Sequence, residues 1–160
     1  MIYYIFRDQI FTVFLSMTHL SAVTFPSKIY DYVGGERGDF KIYELNKGKS
    51  LVYEVKRKGI DKNFIVFQKG GKYHFNLKYD ESMSNKDIEI KQARRCELFS
   101  LLKKEKDYKL FECPRSLLVV NTSVKNLNVN GFVVKKSKYI SKGPPVWIDQ
   151  KLVYLKGQLL

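Results

Sequence analysis

The residues with the chemistry to act as nucleophiles, bases or metal ligands are few: His19, His74, Cys96 and Cys113 stand singly along a chain of 160 residues. Metal ligation needs several such groups at short spacing, so the sequence gives no metal site and implies no cofactor. Serine nucleophiles need a base within reach. His74 falls on the water-facing side of an alternating strand, and His19 in an apolar N-terminal run. Asp80 and Glu81 are adjacent carboxylates, but neighbours in an extended chain point to opposite faces, which suits a turn better than paired acid and base work. No catalytic residue is nominated, and the chain is expected to be non-enzymatic.

The other chemistry to weigh is phosphate binding by the glycine pair in "NFIVFQKGGKYHFNLKYDES", Asn63 to Ser82. After the glycines, Tyr73, Phe75, Leu77 and Tyr79 alternate with Lys72, His74, Asn76 and Lys78, the period of a strand with one face on a core. A phosphate loop runs from strand into helix with a longer glycine spacing and a lysine followed by Ser or Thr. Gly70-Gly71 therefore reads as a hairpin turn, with positive φ angles of the primed type. Asn130-Gly131 repeats the device, and Asp149-Gln150 is a weaker third case. "GGERGD", Gly34 to Asp39, has no helix behind it and reads as a loop between strands rather than an anion site.

These turns punctuate a chain that is 44% hydrophobic and 14% aromatic, far from the composition of disordered chains. Short runs rich in Val, Ile, Tyr and Phe predict strands near 28–33, 40–45, 50–56, 63–68, 72–79, 87–93, 96–102, 107–113, 116–122, 127–129, 132–135, 145–148 and 151–155. A short helix over "RRCELFSLLKKEKD" is the alternative for one of them. Such spacing predicts an all-β fold, an antiparallel β-sandwich of immunoglobulin-like or related type. The length fits a single domain, taken as residues 23–160.

The first 22 residues read differently. "IFTVFLSMTHLSAV", Ile10 to Val23, is apolar and uncharged, has the length of a signal-peptide core, and offers small residues at Ser21-Ala22 for cleavage. A strand or an uncleaved anchor is the other reading of this run. Export would place the chain in an oxidising compartment, where Cys96 and Cys113 would bond. A hairpin turning at Lys104-Glu105 sets them opposite each other, with Leu98 opposite Phe111. Two buried thiols are the alternative.

A net charge of +13 attracts nucleic acid, anionic lipid or acidic protein alike. Lysine supplies most of the excess, whereas bidentate recognition of phosphates and bases favours arginine. A solvated basic face is the simplest reading. Candidate docking strands are Lys28 to Val33, with Ile29, Tyr30 and Tyr32, and the segment after Pro144-Pro145, with Val146, Trp147 and Ile148; both are expected at sheet edges.

Two stretches together resemble a family. "TFPSKIYDYVGG", Thr24 to Gly35, is similar to the start of mature TraN-type conjugal transfer proteins. "NFIVFQKGGKYHFNLKYDES" resembles the strand, turn and aromatic strand found there and in the CagX/TrbG family of type IV secretion subunits. The resemblance implies an exported, periplasmic β-sandwich subunit that associates into rings in an outer-membrane core complex, in contact with other envelope subunits and with outer membrane or cell wall. The chain departs from that pattern in having about 80 residues after Ser82, where those proteins commonly carry a longer β domain that docks a small lipoprotein. The contrasting expectation is a basic, single-domain nucleic-acid-binding β protein in which Tyr73, Tyr79 or other aromatics stack on bases. Its difficulty is that the alternation turns those rings toward the core.

Overall fold

The computed structural model describes residues 1–160. The fold is all-β and sandwich-like with no closed barrel, and the chain divides into two compact units. The first holds Met1–Tyr3 and Ile10–Lys91, the second Tyr4–Gln9 and Gln92–Leu160, so the chain passes between them at 3–4, 9–10 and 91–92.

The strands up to residue 92 are β1 (Ile2–Ile5), β2 (Ile10–Leu15), β3 (Ser21–Thr24), β4 (Ile29–Gly34), β5 (Phe40–Leu45), β6 (Ser50–Val55), β7 (Asp61–Gln68), β8 (Gly71–Tyr79) and β9 (Asp87–Gln92). They form one sheet in the order β1-β9-β3-β6-β5 and another in the order β2-β8-β7-β4. Most pairs are antiparallel, but β2 runs parallel to β8 and β3 parallel to β9, so these sheets are mixed. Alternation decides which side chains are buried: Tyr73, Phe75 and Leu77 are buried on β8 while His74, Asn76 and Lys78 are part-exposed. Aromatic rings join the two sheets. Phe75 stacks on Phe11 at 5.0 Å between centroids and meets Phe64 at 5.3 Å, and Phe64 meets Tyr53 of the other sheet edge-on at 5.6 Å. Aromatic pairs of this kind add to the stabilisation that comes from their buried area.

The later strands are β10 (Ser100–Lys104), β11 (Tyr108–Cys113), β12 (Ser116–Asn121), β13 (Leu127–Val129), β14 (Phe132–Val134), β15 (Ser137–Ile140), β16 (Val146–Ile148), β17 (Lys151–Leu155) and β18 (Gln158–Leu159). Two sheets, β10-β11-β12-β15 and β14-β13-β16-β17-β18, enclose a second core with Leu110, Leu117 and Val119 from one and Val129, Ile148 and Val153 from the other.

Several expectations change. The run Ile10 to Val23 is folded: it forms β2 and most of β3, and Phe11, Val13, Leu15 and Val23 are buried. The hairpin after β7 exists, but its central residues are Lys69 and Gly70, because Gln68 pairs with Gly71. Gly70 has φ +84° and Lys69 has no positive φ, so the turn is not primed. Asn130-Gly131 and Asp149-Gln150 both have positive φ at both positions, as a type I′ turn requires. Lys156-Gly157 does the same between β17 and β18. Residues 96–99 lie outside the strands, and no helix forms there.

Candidate functional site

Within the first unit, β4 lies at the edge of its sheet, paired with β7 on one side. Of the docking candidates placed there, Ile29 is buried, Tyr30 is 66% exposed and Tyr32 stacks on Phe64 at 5.7 Å. The ladder shifts register between Ile29 and Asp31, so Tyr30 sits at a bulge, which leaves it unpaired and turned outward. Val33, 57% exposed, extends the apolar surface. Burial raises the pKa of the Tyr32 hydroxyl, helped by the charges of Glu44 and Asp31.

The second docking stretch is placed differently. β16 is an interior strand between β13 and β17, and Val146 and Ile148 are buried. The Asn130 side chain accepts from the Trp147 amide at 2.8 Å while the Asn130 amide donates to the Trp147 carbonyl at 3.0 Å. Both sides of this strand are therefore occupied, and Val146, Trp147 and Ile148 do not form an open edge. The proline pair suggested an edge because proline cannot donate to a ladder, but Pro144 and Pro145 precede β16 and leave its own amides intact.

Three acidic residues organise loops of the first unit. Buried Asp39 accepts from the Glu36 amide at 2.8 Å and from the Arg57 Nε at 2.6 Å. Burial opposes its ionisation, yet the Glu36 amide and Arg57 outweigh it and hold the carboxyl below its ordinary range. The amide of "GGERGD" that an outside anion would use is thus taken by the loop's own carboxylate. Glu81 accepts from the hydroxyls of Ser16, Thr18 and Tyr79 and from the Met17 amide. The Ser16 hydrogen bond leads in lowering its pKa to about 2 against the opposing effect of burial, with Met17, Thr18 and Tyr79 assisting. Asp80 accepts from Ser82 and Met83 amides, closing a turn.

In the second unit Cys96 and Cys113 are disulfide-bonded, with Cα atoms 6.0 Å apart. The local geometry differs from the expected hairpin. Leu101, not Leu98, lies opposite Phe111, and the ladder slips between Leu101 and Lys103. Cys96 thus reaches Cys113 from a loop. No three His, Cys, Asp or Glu side chains gather as a metal-holding group. Sequence reasoning missed the basic and apolar surface beside this bond, where Arg94, Arg95 and Arg115 meet although they come from separate segments.

No protein-family model matches the chain, and no curated protein matches it.

Proposed function

We propose that this chain is an exported, non-enzymatic subunit of a bacterial envelope assembly, most like the TraN-type and CagX/TrbG outer-membrane-complex proteins, and that it acts by associating with copies of itself and with other envelope subunits. The observation that carries this reading is the β4 edge, where a strand with an unpaired side presents Tyr30 and Val33 to solvent. Such an edge adds a strand from a neighbour through main-chain hydrogen bonds while aromatic side chains anchor it. The Cys96–Cys113 bond supports an oxidising compartment, and the charge of +13 suits acidic partners or the anionic envelope. The nucleic-acid reading has less support, because the Tyr73 ring is buried at 0% exposure and offers no face to a base.

Cell fractionation with thiol-trapping mass spectrometry tests export. The reading expects the protein outside the cytoplasm with Cys96 and Cys113 oxidised; a reduced pool confined to the cytoplasm contradicts it. The mass of the N-terminal peptide decides a linked point. A cut after Ala22 would remove β1, β2 and the start of β3, with core residues Phe11, Val13 and Leu15, so an exported form with the fold described above keeps them.

A further inference from the structure

The segment between β9 and β10 carries a combination of side chains that the association reading does not use. Leu98 is 86% exposed, Phe99 49% and Leu101 53%. Phe99 leans edge-on against Phe111 with centroids 5.0 Å apart, which holds the loop in place, while Leu98 rests on nothing comparable. Arg94, Arg95 and Arg115 line a shallow depression together with Cys96 and Pro114. Pro114 also lines the adjoining depression with Leu98, Phe99 and Lys142, so the cations and the apolar tip are neighbours. Their placement is fixed by backbone and covalent bonds. The Arg94 amide donates to the Arg115 carbonyl at 3.2 Å, the Ser116 hydroxyl to the Arg94 carbonyl at 2.7 Å, and Cys96 is bonded to Cys113.

None of the three guanidiniums has a carboxylate within ion-pair distance. Arg95 lies 6.0 Å from the Tyr139 ring centre. Of the nearby acids, Glu112 is paired with Lys142, while Glu97 in the loop and Asp8, which lines a depression with Arg95 and Lys138, are exposed and fewer than the cations around them. The patch therefore keeps a net positive charge.

We propose that this surface docks on an anionic lipid leaflet: Arg94, Arg95 and Arg115 take the headgroup phosphates, and Leu98 and Phe99 enter the boundary with the acyl chains. Guanidinium groups suit phosphate because their planar donors match its oxygens, and cations beside a projecting apolar tip combine the two forces that hold peripheral proteins on membranes. A second copy is disfavoured because it would bring the same cations face to face. Nucleic acid is disfavoured because Leu98, the most exposed apolar side chain of the patch, has no ring to stack on a base. The inference does not depend on export or on ring formation, and its assay reads neither.

Vesicle co-sedimentation of the full chain tests it, using phosphatidylcholine alone and phosphatidylcholine mixed with phosphatidylglycerol. Binding to the mixed vesicles is expected to exceed binding to the neutral ones by roughly a hundredfold at low salt and to weaken as salt is added. Arg94→Gln with Arg95→Gln and Arg115→Gln should abolish the difference. Leu98→Ser with Phe99→Ser should lower affinity about tenfold and keep the salt dependence. Val124→Ser, at another exposed apolar position, should change nothing. Each variant is checked for its disulfide by mass and for its melting temperature. Equal binding to both vesicles, either multiple variant binding as the unmutated chain does, or tighter binding to polyglutamate or an oligonucleotide than to the mixed vesicles would overturn the proposal.

Discussion

At Glu81 one exposed carboxylate gathers four donors from two segments far apart in sequence, Ser16 to Thr18 and Tyr79. Its pKa falls from 4.5 to about 2, led by the Ser16 hydroxyl. A group with a lowered folded pKa contributes stability above its unfolded pKa, and that contribution is lost as pH falls through the folded value. Stability measured by denaturant should thus decline between pH about 4.5 and about 2, and Glu81→Gln should flatten that part of the profile. Asp39 differs because it is buried. Asp39→Ala leaves the Glu36 amide and Arg57 without their acceptor, and chemical denaturation should show a loss of about 1–3 kcal/mol. Arg57 is half exposed, and water takes up part of its charge, which keeps the loss at that level. The sequence signalled neither role. "GGERGD" and "KYDES" mark turns by composition, but whether a carboxylate closes its own loop or faces outward depends on partners 18 to 65 residues away.

Hairpins show what an element can disclose before it is folded. Alternation over β8 was legible because its period of two is uninterrupted, and Asn130-Gly131 was legible because few residues accept positive φ at both turn positions. Lys156-Gly157 was harder to see, since lysine seldom adopts φ near +52°. β2 and β3 were open to two readings, strand or signal-peptide core, for a physical reason: a strand buried in a sheet and a signal-peptide core are both short uncharged apolar runs. The β10 region misled because the hairpin turns between Glu105 and Tyr108 and not at Lys104-Glu105, so Lys104 faces Lys109, and a slip between Leu101 and Lys103 then shifts the ladder by one residue. Two glycines separate conformational from steric cost. A Cβ at Gly131 would meet nothing within 4 Å, so Gly131→Ala should cost only the strain of φ +85°, about 1 kcal/mol. A Cβ at Gly34 would lie 2.2 Å from the Asn63 carbonyl oxygen, so Gly34→Ala should cost more and disturb the β4–β7 pairing. Thermal melts of the two variants, compared side by side, check the order.

Across the whole molecule, the fold class was readable from turn spacing, whereas the division into two units was not. The strands of both units have similar lengths and composition, and nothing in the sequence marks residues 91–92 as a boundary. Each unit has its own pair of sheets and its own core, so unfolding should not follow a single two-state transition. The disulfide lies wholly in the second unit with a sequence separation of 17 residues. In calorimetry with reductant, the transition of that unit should therefore lose about 3 kcal/mol while the other stays in place. A single transition shifting as one would contradict the two-unit description.

Association through the β4 edge is the central claim, and the mass of the purified chain in solution tests it most directly. Sedimentation velocity should show assemblies larger than one chain that dissociate when Tyr30→Asp and Val33→Asp are introduced, with circular dichroism unchanged. A chain that stays monomeric at every concentration, or assemblies indifferent to both substitutions, would contradict the account.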